Sequence, residues 1–399
     1  MVLTDKFYKL ESHVRHYAWG MRRHGDVLPY IADLLGEDAG KSIPWAELWI
    51  GAHPSLSSDV VLDSGSVRLD QAIENSGTAV LGDLPEGVPQ GRLPFLLKVL
   101  SCEKALSIQS HPDKATAEIL HEKKPMYYPD DNHKPEVLIS LTPFEAMAGF
   151  KSMDDALGEL NSLASVAPWR MVWEEATELS IRMLCITLLH LPGGIVREML
   201  VALRKELLQK GDSLSDCGRL CLLLMEQNPC DRGVMFAYLL NHLRLNPGQA
   251  LFIPANVPHA YLSGTGIECM ANSDNVIRAG LTPKNIDVKC LLATLNFDST
   301  IINLISGEEP IDGERVYHTP AKEFQISFFS KGASINLSSR RPVAGVILVL
   351  EGCYEFDDGR GNAQMGGRGT SWFRPALLTT GVIKPLDKQA RLVWAEVGI

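Results

Sequence analysis

Two side chains able to bind a metal stand two residues apart in the segment LSIQSHPDK, where Gln109 offers an amide oxygen and His111 an imidazole nitrogen. In an extended chain, residues i and i+2 point to one face, so a strand from Ala105 to His111 presents both donors together. Glu136 opens the hydrophobic run EVLISL, and Lys134 precedes it by two positions with Pro135 between them. Proline favours extended geometry in the residue before it, which puts Lys134 and Glu136 on a common face. A carboxylate beside a lysine is costly to bury unless both have partners, and a metal ion is one such partner for the carboxylate. His259 lies in IPANVPHAYLSG, where Pro254 and Pro258 stiffen the approach. Gln109, His111, Glu136 and His259 together are the material of a nitrogen and oxygen zinc site with room for water at an open position. Each histidine taken alone reads more simply as a hydrogen-bonded ring, and spacing alone does not bring His259 to the other three.

A second polar constellation follows in GTGIECMANSDNVIRAGLTPKNIDV, with Glu268, Asp274, Arg278 and Lys284 between apolar anchors. The bland reading is a solvated loop. The functional one is a phosphate clamp, in which Arg278 gives a fixed fork of donors and Lys284 a mobile point charge. His133 adjoins Lys134 in the polar loop YYPDDNHKPE and stands beside the proposed site. The remaining histidines read as structural or exposed, His121 among them on a helix. Gly366, Gly367 and Gly369 lack the strand-to-helix setting that a phosphate loop requires.

Bulk properties narrow the classes. A chain of 399 residues with 45% hydrophobic side chains has material for two or three cores, which excludes a single small module. The eight cysteines form no C-x-x-C pair and read as reduced, mostly buried thiols. A formal charge of -10 argues against nucleic acid as a partner, since a phosphate backbone is bound through pooled Lys and Arg. A small phosphorylated ligand needs only a few local cations and stays compatible. No run approaches the roughly 18 apolar residues of a membrane span, and MVLTDKFYKLESH carries charge where a signal peptide needs an apolar stretch. The expectation is a cytoplasmic protein without membrane association, acting as a monomer.

The elements that must position these groups are mainly strands. Residues 1–152 read as short extended pieces around Leu48 to Ile50, in LPFLLKVLS and in VLISLTPFEAMAGF, with one clear helix that Pro112 starts after Ser110. Residues 153–246 read as a helical insert, with Ile195, Met199, Leu203 and Leu207 at helical spacing and Cys217, Leu220 and Leu224 likewise. Extended character returns over 247–317, where ALFIPANVPHAYLSG reads as strand, turn, strand, and continues over 318–399. The pattern predicts a mainly β protein with a helical insert: two β-sandwich or barrel domains, the first interrupted by an all-α domain. It does not fit the steady strand and helix alternation of a dinucleotide-binding sheet.

Six segments resemble, in order, those of the type I mannose-6-phosphate isomerases, also called phosphomannose isomerases. They are YAWG at 17–20, AELWIGAHPS at 46–55, FLLKVLSCEKALSIQSHPDK at 95–114, NHKPEVL at 132–138, FIPANVPHAYLSG at 252–264 and GIECMANSDNVIRAGLTPK at 266–284. Arg15 and His16 precede YAWG where many relatives have a glutamine nearby, a departure that leaves the metal and phosphate positions intact. The resemblance implies two cupin-like jelly-roll domains, the second without metal, and one Zn2+ per chain on Gln109, His111, Glu136 and His259. It implies Arg278 in the active site, with Ser107, Arg278 and Lys284 as candidates for the phosphate and Lys98 among the cavity residues. The implied reaction interconverts mannose 6-phosphate and fructose 6-phosphate through a cis-enediol. Lys134 is then the first candidate for the proton-transfer base and Glu268 its rival, while Asp274 or His133 moves a proton at the ring oxygen. A metal-free sugar-binding bicupin and an iron-dependent cupin oxygenase are the competing classes; the first does not need Gln109, His111, Glu136 and His259 to converge, and the second has no evident use for the Arg278 and Lys284 pair.

Overall fold

The computed structural model describes residues 1–40, 42–175, 179–298, 302 and 304–398. Among these residues the strands form sheets of eleven, nine and four members, and helices cover one end of the larger sheet. Strand pairing among the described residues does not trace a closed barrel.

The eleven-stranded sheet is built around His259–Ala271, a thirteen-residue strand. It pairs antiparallel with Phe95–Cys102, Glu136–Ser140 and Phe144–Phe150, and His259 stands opposite Gln109. Register puts Glu268 opposite Lys98 and Met270 opposite Glu136. Phe95–Cys102 and Glu136–Ser140 are buried along their whole lengths, which is why they read as continuous apolar runs instead of alternating ones.

Two local expectations change here. The strand at Gln109 spans only Ile108–Ser110, so His111 stands just past its end and not within a strand from Ala105. Its neighbour Ile277–Gly280 pairs with Ile108 to Ser110 alone, and Pro112 has no N–H to extend the ladder. The next helix is Lys114–Lys123, and Asp113, not Pro112, starts it: its carboxylate accepts the Thr116 N–H at 2.8 Å. A side-chain oxygen satisfies one of the orphan N–H groups at a helix start, which a proline cannot do.

The insert contains Met153–Leu160, Ala167–Glu174, Ile181–His190, Gly193–Gln209 and Asp216–Gln227, then a 3-10 turn at Arg232–Tyr238. Met199, Leu203 and Leu207 are buried as their spacing predicts, but Ile195 is 40% exposed and Val196 and Leu200 face the core instead. The helical region closes before residue 246, because Leu240–Leu245 pairs with Phe144–Phe150, Leu240 opposite Phe150. The insert thus fills the connection between two adjacent strands. Its helices share a core with Ile108, Met147, Ala260 and Ile277, so they brace the strands that carry Gln109, His259 and Arg278.

The nine-stranded sheet joins sequence ends. It runs from Glu308–Ile311 through Arg391–Glu396, Gly345–Glu351 and Ser371–Arg374 to Tyr8–Glu11, Asp59–Leu62 and Gly65–Arg68. A cut at residue 318 therefore does not follow the sheet, which starts earlier and takes in three N-terminal strands. Tyr8–Glu11 pairs with Ser371–Arg374 and supplies backbone partners to what would be an open edge. No single described helix is long and apolar enough to cross a membrane.

Candidate metal centre

Three separate elements deliver the donors: His111 follows Ile108–Ser110, Glu136 opens its strand, and His259 opens the central one. One atom from each lies within 4.8 Å of the others. His111 Nε2 is 3.3 Å from Glu136 Oε2, and His259 Nε2 is 3.1 Å from Glu136 Oε1. All three side chains are sealed from solvent.

The outward ring nitrogens decide what faces inward. His111 Nδ1 is 2.8 Å from the Asn275 carbonyl, and His259 Nδ1 is 3.1 Å from that of Val257. A carbonyl only accepts, so each Nδ1 carries the proton and each Nε2 turns a lone pair on the carboxylate. Burial first, then the charge of Lys134, pushes the His111 pKa down to about 4, which leaves the ring neutral at pH 7. Glu136 Oε2 and His259 Nε2 are buried without a hydrogen bond. Acceptors facing one another in a dry pocket are costly, and a divalent cation that takes nitrogen and oxygen ligands fits this set. The Nδ1 contacts to carbonyls are the kind that orient metal-bound imidazoles.

Lys134 borders the triad, with Nζ 3.1 Å from Glu136 Oε2 and 3.5 Å from His111 Nε2. Burial alone would raise the Glu136 pKa, but the Lys134 ammonium beside it holds it well below the usual carboxylate range. The Tyr261 hydroxyl donates to Glu136 Oε1 at 2.9 Å.

A cleft of about 390 Å³ opens beside the triad. Gln109 and Lys134 line it, as do Lys98, Glu47 and Trp49, the stacked pair Tyr17 and Trp19, and Ser107, Arg278 and Lys284. Register pairs Arg278 with Gln109. Neither Arg278 nor Lys284 forms an ion pair among the described residues, and burial lowers the Arg278 pKa. Two uncompensated cations on a cleft wall suit a polyanion.

Lys98, by contrast, is paired with carboxylates. Its Nζ lies 2.9 Å from Glu268 Oε2 and 3.6 Å from Glu47 Oε1, over the Trp49 ring. Burial works against the charged lysine, yet Glu268 and Glu47 outweigh it and raise its pKa. With two carboxylates for one ammonium, burial pushes Glu268 up despite Lys98.

Residues 7–153 match a family model described as phosphomannose isomerase type I, catalytic domain. Mannose-6-phosphate isomerase of Bos taurus is 36% identical over 377 residues, 88% of each chain. That of Homo sapiens is 38% identical over 349 residues, covering 81% of this chain and 82% of its own. Identity at this level across most of both chains decides the relationship. The chain belongs to the type I phosphomannose isomerase family. Two solved structures agree with it. A zinc-bound mannose 6-phosphate isomerase aligns over 99% of this chain and 100% of its own with a TM-score of 0.84 at 31% identity. A single-substitution variant of phosphomannose isomerase from Salmonella typhimurium gives 0.86 over the same coverage.

Not every residue singled out from the sequence reaches the cleft of this isomerase-family chain. Asp274 accepts the Ser55 hydroxyl at 2.7 Å and lies 3.8 Å from His53 Nε2, outside the lining. Glu268 sits behind Lys98. His133 turns away: its Nε2 meets Glu323 Oε1 at 2.6 Å in the wall of a different cavity, because side chains alternate along Lys134, Pro135 and Glu136. The sequence reading passed over Glu47, His53, Tyr261 and the amides of the NSDN segment. Asn275 Nδ2 donates to the carbonyls of Asp130 and Asn132, while its own carbonyl takes the His111 proton. Asn272 Nδ2 donates to the Leu93 carbonyl. Small polar residues of this kind carry no long-range signal, and only their partners reveal them.

Proposed function

We propose that this protein interconverts mannose 6-phosphate and fructose 6-phosphate with one zinc ion per chain, held by Gln109, His111, Glu136 and His259. The observation that carries the reading is the buried triad, whose two Nε2 lone pairs converge on a carboxylate. Family membership and the zinc-bound relative support it. Bound there, zinc supplies Lewis-acid polarisation of the C1 carbonyl and C2 oxygen of the opened sugar.

The rest falls to the chain. Ser107, Arg278 and Lys284 hold the phosphate, so that binding energy from the unreactive end fixes C1 and C2 beside Lys134. Lys134, acting as the free amine once the cation occupies the site, takes the proton from C2 and returns it to C1 through the cis-enediol; it lines the cleft, whereas its rival Glu268 is buried and bonded to Lys98. Lys98, kept cationic by Glu47 and Glu268, donates to the sugar oxygens and stabilises negative charge as it develops. Asp274 stays outside the cleft lining, with His53 beside it. Ser55 N–H donates to His53 Nδ1 at 3.2 Å, so His53 Nε2 carries the proton towards Asp274. We also read the two β regions as jelly rolls of the double-sheet kind, the second without metal, and the active species as a single chain in the cytoplasm.

The test is direct. Purified protein is mixed with mannose 6-phosphate and fructose 6-phosphate is followed; chelation abolishes turnover, and zinc restores it. Undiminished turnover in rigorously metal-stripped protein overturns the reading.

A further inference from the structure

Glu323 belongs to the C-terminal part of the chain and is 3% exposed. Its Oε1 lies 2.6 Å from His133 Nε2, an interaction that spans 190 positions of sequence. Burial would raise the Glu323 pKa, but the hydrogen bond and charge interaction with His133 outweigh it and keep the carboxyl ionised. A carboxylate only accepts, so His133 Nε2–H is the donor, and the bond is of the short, charge-assisted kind.

The bond acts on a particular stretch of backbone. Along Asn132 to Glu136, alternation sends Lys134 and Glu136 towards the metal centre and His133 and Pro135 towards a cavity of about 470 Å³ that Glu323 also lines. One side of this segment is already held. The Ser273 hydroxyl donates to the Asn132 carbonyl at 3.1 Å, and the Ala271 N–H to the Pro135 carbonyl at 3.0 Å. Both restraints come from the continuation of the central strand, in the same part of the fold as the metal centre. His133 gives the segment a side-chain anchor on the other side, in the C-terminal region.

We propose that Glu323 is a positioning residue for the metal centre: through His133 it fixes the rotation of the Asn132–Glu136 segment, so that Glu136 meets both imidazoles and Lys134 faces the cleft. The C-terminal part thereby acts on the chemistry through one part-buried bond, in addition to covering apolar surface. The inference rests on reading the triad as a metal site, which the wild-type chelation assay tests independently of Glu323.

A metal donor displaced by a fraction of an ångström binds less well, and losing an outer contact of this kind typically costs roughly 10- to 100-fold in metal affinity or activity. The test measures zinc loss to a chelator, kcat and thermal midpoint in Glu323→Ala, Glu323→Asp, Glu323→Gln, His133→Ala and the double variant Glu323→Ala/His133→Ala. Glu323→Ala is expected to release zinc and lose kcat by about tenfold or more. Glu323→Asp, which retracts the charge by one methylene, moves in the same direction if the alanine variant does not fold. Glu323→Gln retains an acceptor and keeps most of both properties. The double variant is no worse than the poorer single one, because both substitutions break the same contact. Additive losses in the double variant overturn the proposal. So does a folded Glu323→Ala protein with wild-type zinc retention and kcat, or one in which only the thermal midpoint falls.

Discussion

Two buried charged clusters in this molecule look alike in composition and differ in how their polar atoms are satisfied. In the C-terminal sheet, the Arg374 guanidinium is wholly buried and donates to the carbonyls of Leu378, Arg341 and Val343 at 2.7 to 3.0 Å. Burial lowers its pKa to about 10, still far above neutrality. Arg340 nearby joins Glu314 at 2.6 Å and Glu396 at 3.2 Å. Here donors meet acceptors. Around Glu136 the inward atoms are a carboxylate and two imidazole lone pairs, with the Lys134 ammonium at their margin. In the first cluster both guanidiniums find acceptors and one carboxylate oxygen, Glu396 Oε2, is left over, so it reads as structure; in the second, acceptors face one another across the pocket, so it reads as a site. Burial of charge alone does not mark function, whereas a convergence of acceptors does.

The contrast breaks most decisively at His259. His259→Ala removes a donor, and loss of several kcal/mol of charge stabilisation lowers kcat/KM by roughly 10³-fold or more, with zinc content falling in parallel. Metal analysis beside the rate assay checks this; full zinc occupancy with full activity would erase the distinction between the clusters. Arg374→Met is the matching change in the other cluster. It leaves the Leu378 and Val343 carbonyls without these donors, while the Arg341 carbonyl keeps the Val343 N–H, and costs about 3 kcal/mol of stability, read by denaturant unfolding, while kcat of the folded fraction stays at the wild-type value.

Smaller effects sharpen the picture of the open cleft. Lys284→Ala raises KM by about tenfold with kcat nearly unchanged, as expected for loss of one cation that binds ground state and transition state alike. Arg278→Ala raises KM and lowers kcat as well, since Arg278 stands beside Gln109 and orients the reacting end. Losses confined to KM in both variants would remove that division of labour. The smallest effect is on acid stability. The Glu323 carboxyl titrates below its ordinary value of 4.5 in the folded chain, so its contribution is present above that value and is lost as pH falls through the lower folded pKa. Unfolding measured from pH 6 downward should show wild type losing its advantage over Glu323→Gln below about pH 4.5. A constant difference across that window contradicts the assignment.

Much of this molecule was legible in its residues. The motif around Gln109 and His111, the Lys134 and Glu136 pair, the helical character after Met153 and the strand, turn, strand reading before His259 follow from local periodicity, proline geometry and donor chemistry. The edges were less legible. Ile195 falls on the wrong side of its helix, because 3.6-residue periodicity leaves the limits of a buried stripe undetermined by one position. Asp113 starts a helix that Pro112 also signals, because a cap is decided by which side chain reaches an N–H group.

What the sequence determined by itself was the chemical inventory: four metal-capable side chains, two cations suited to phosphate, and the elements that bear them. Only the tertiary structure decided that Nδ1 of each imidazole is spent on a carbonyl, that Glu47 and Glu268 share Lys98, and that His133 faces Glu323 and not the cleft. The physical reason is the range of the forces. Backbone propensity acts over a few residues and leaves its trace in the order of the chain, whereas the pairing of buried polar groups depends on which distant segments the hydrophobic core brings together.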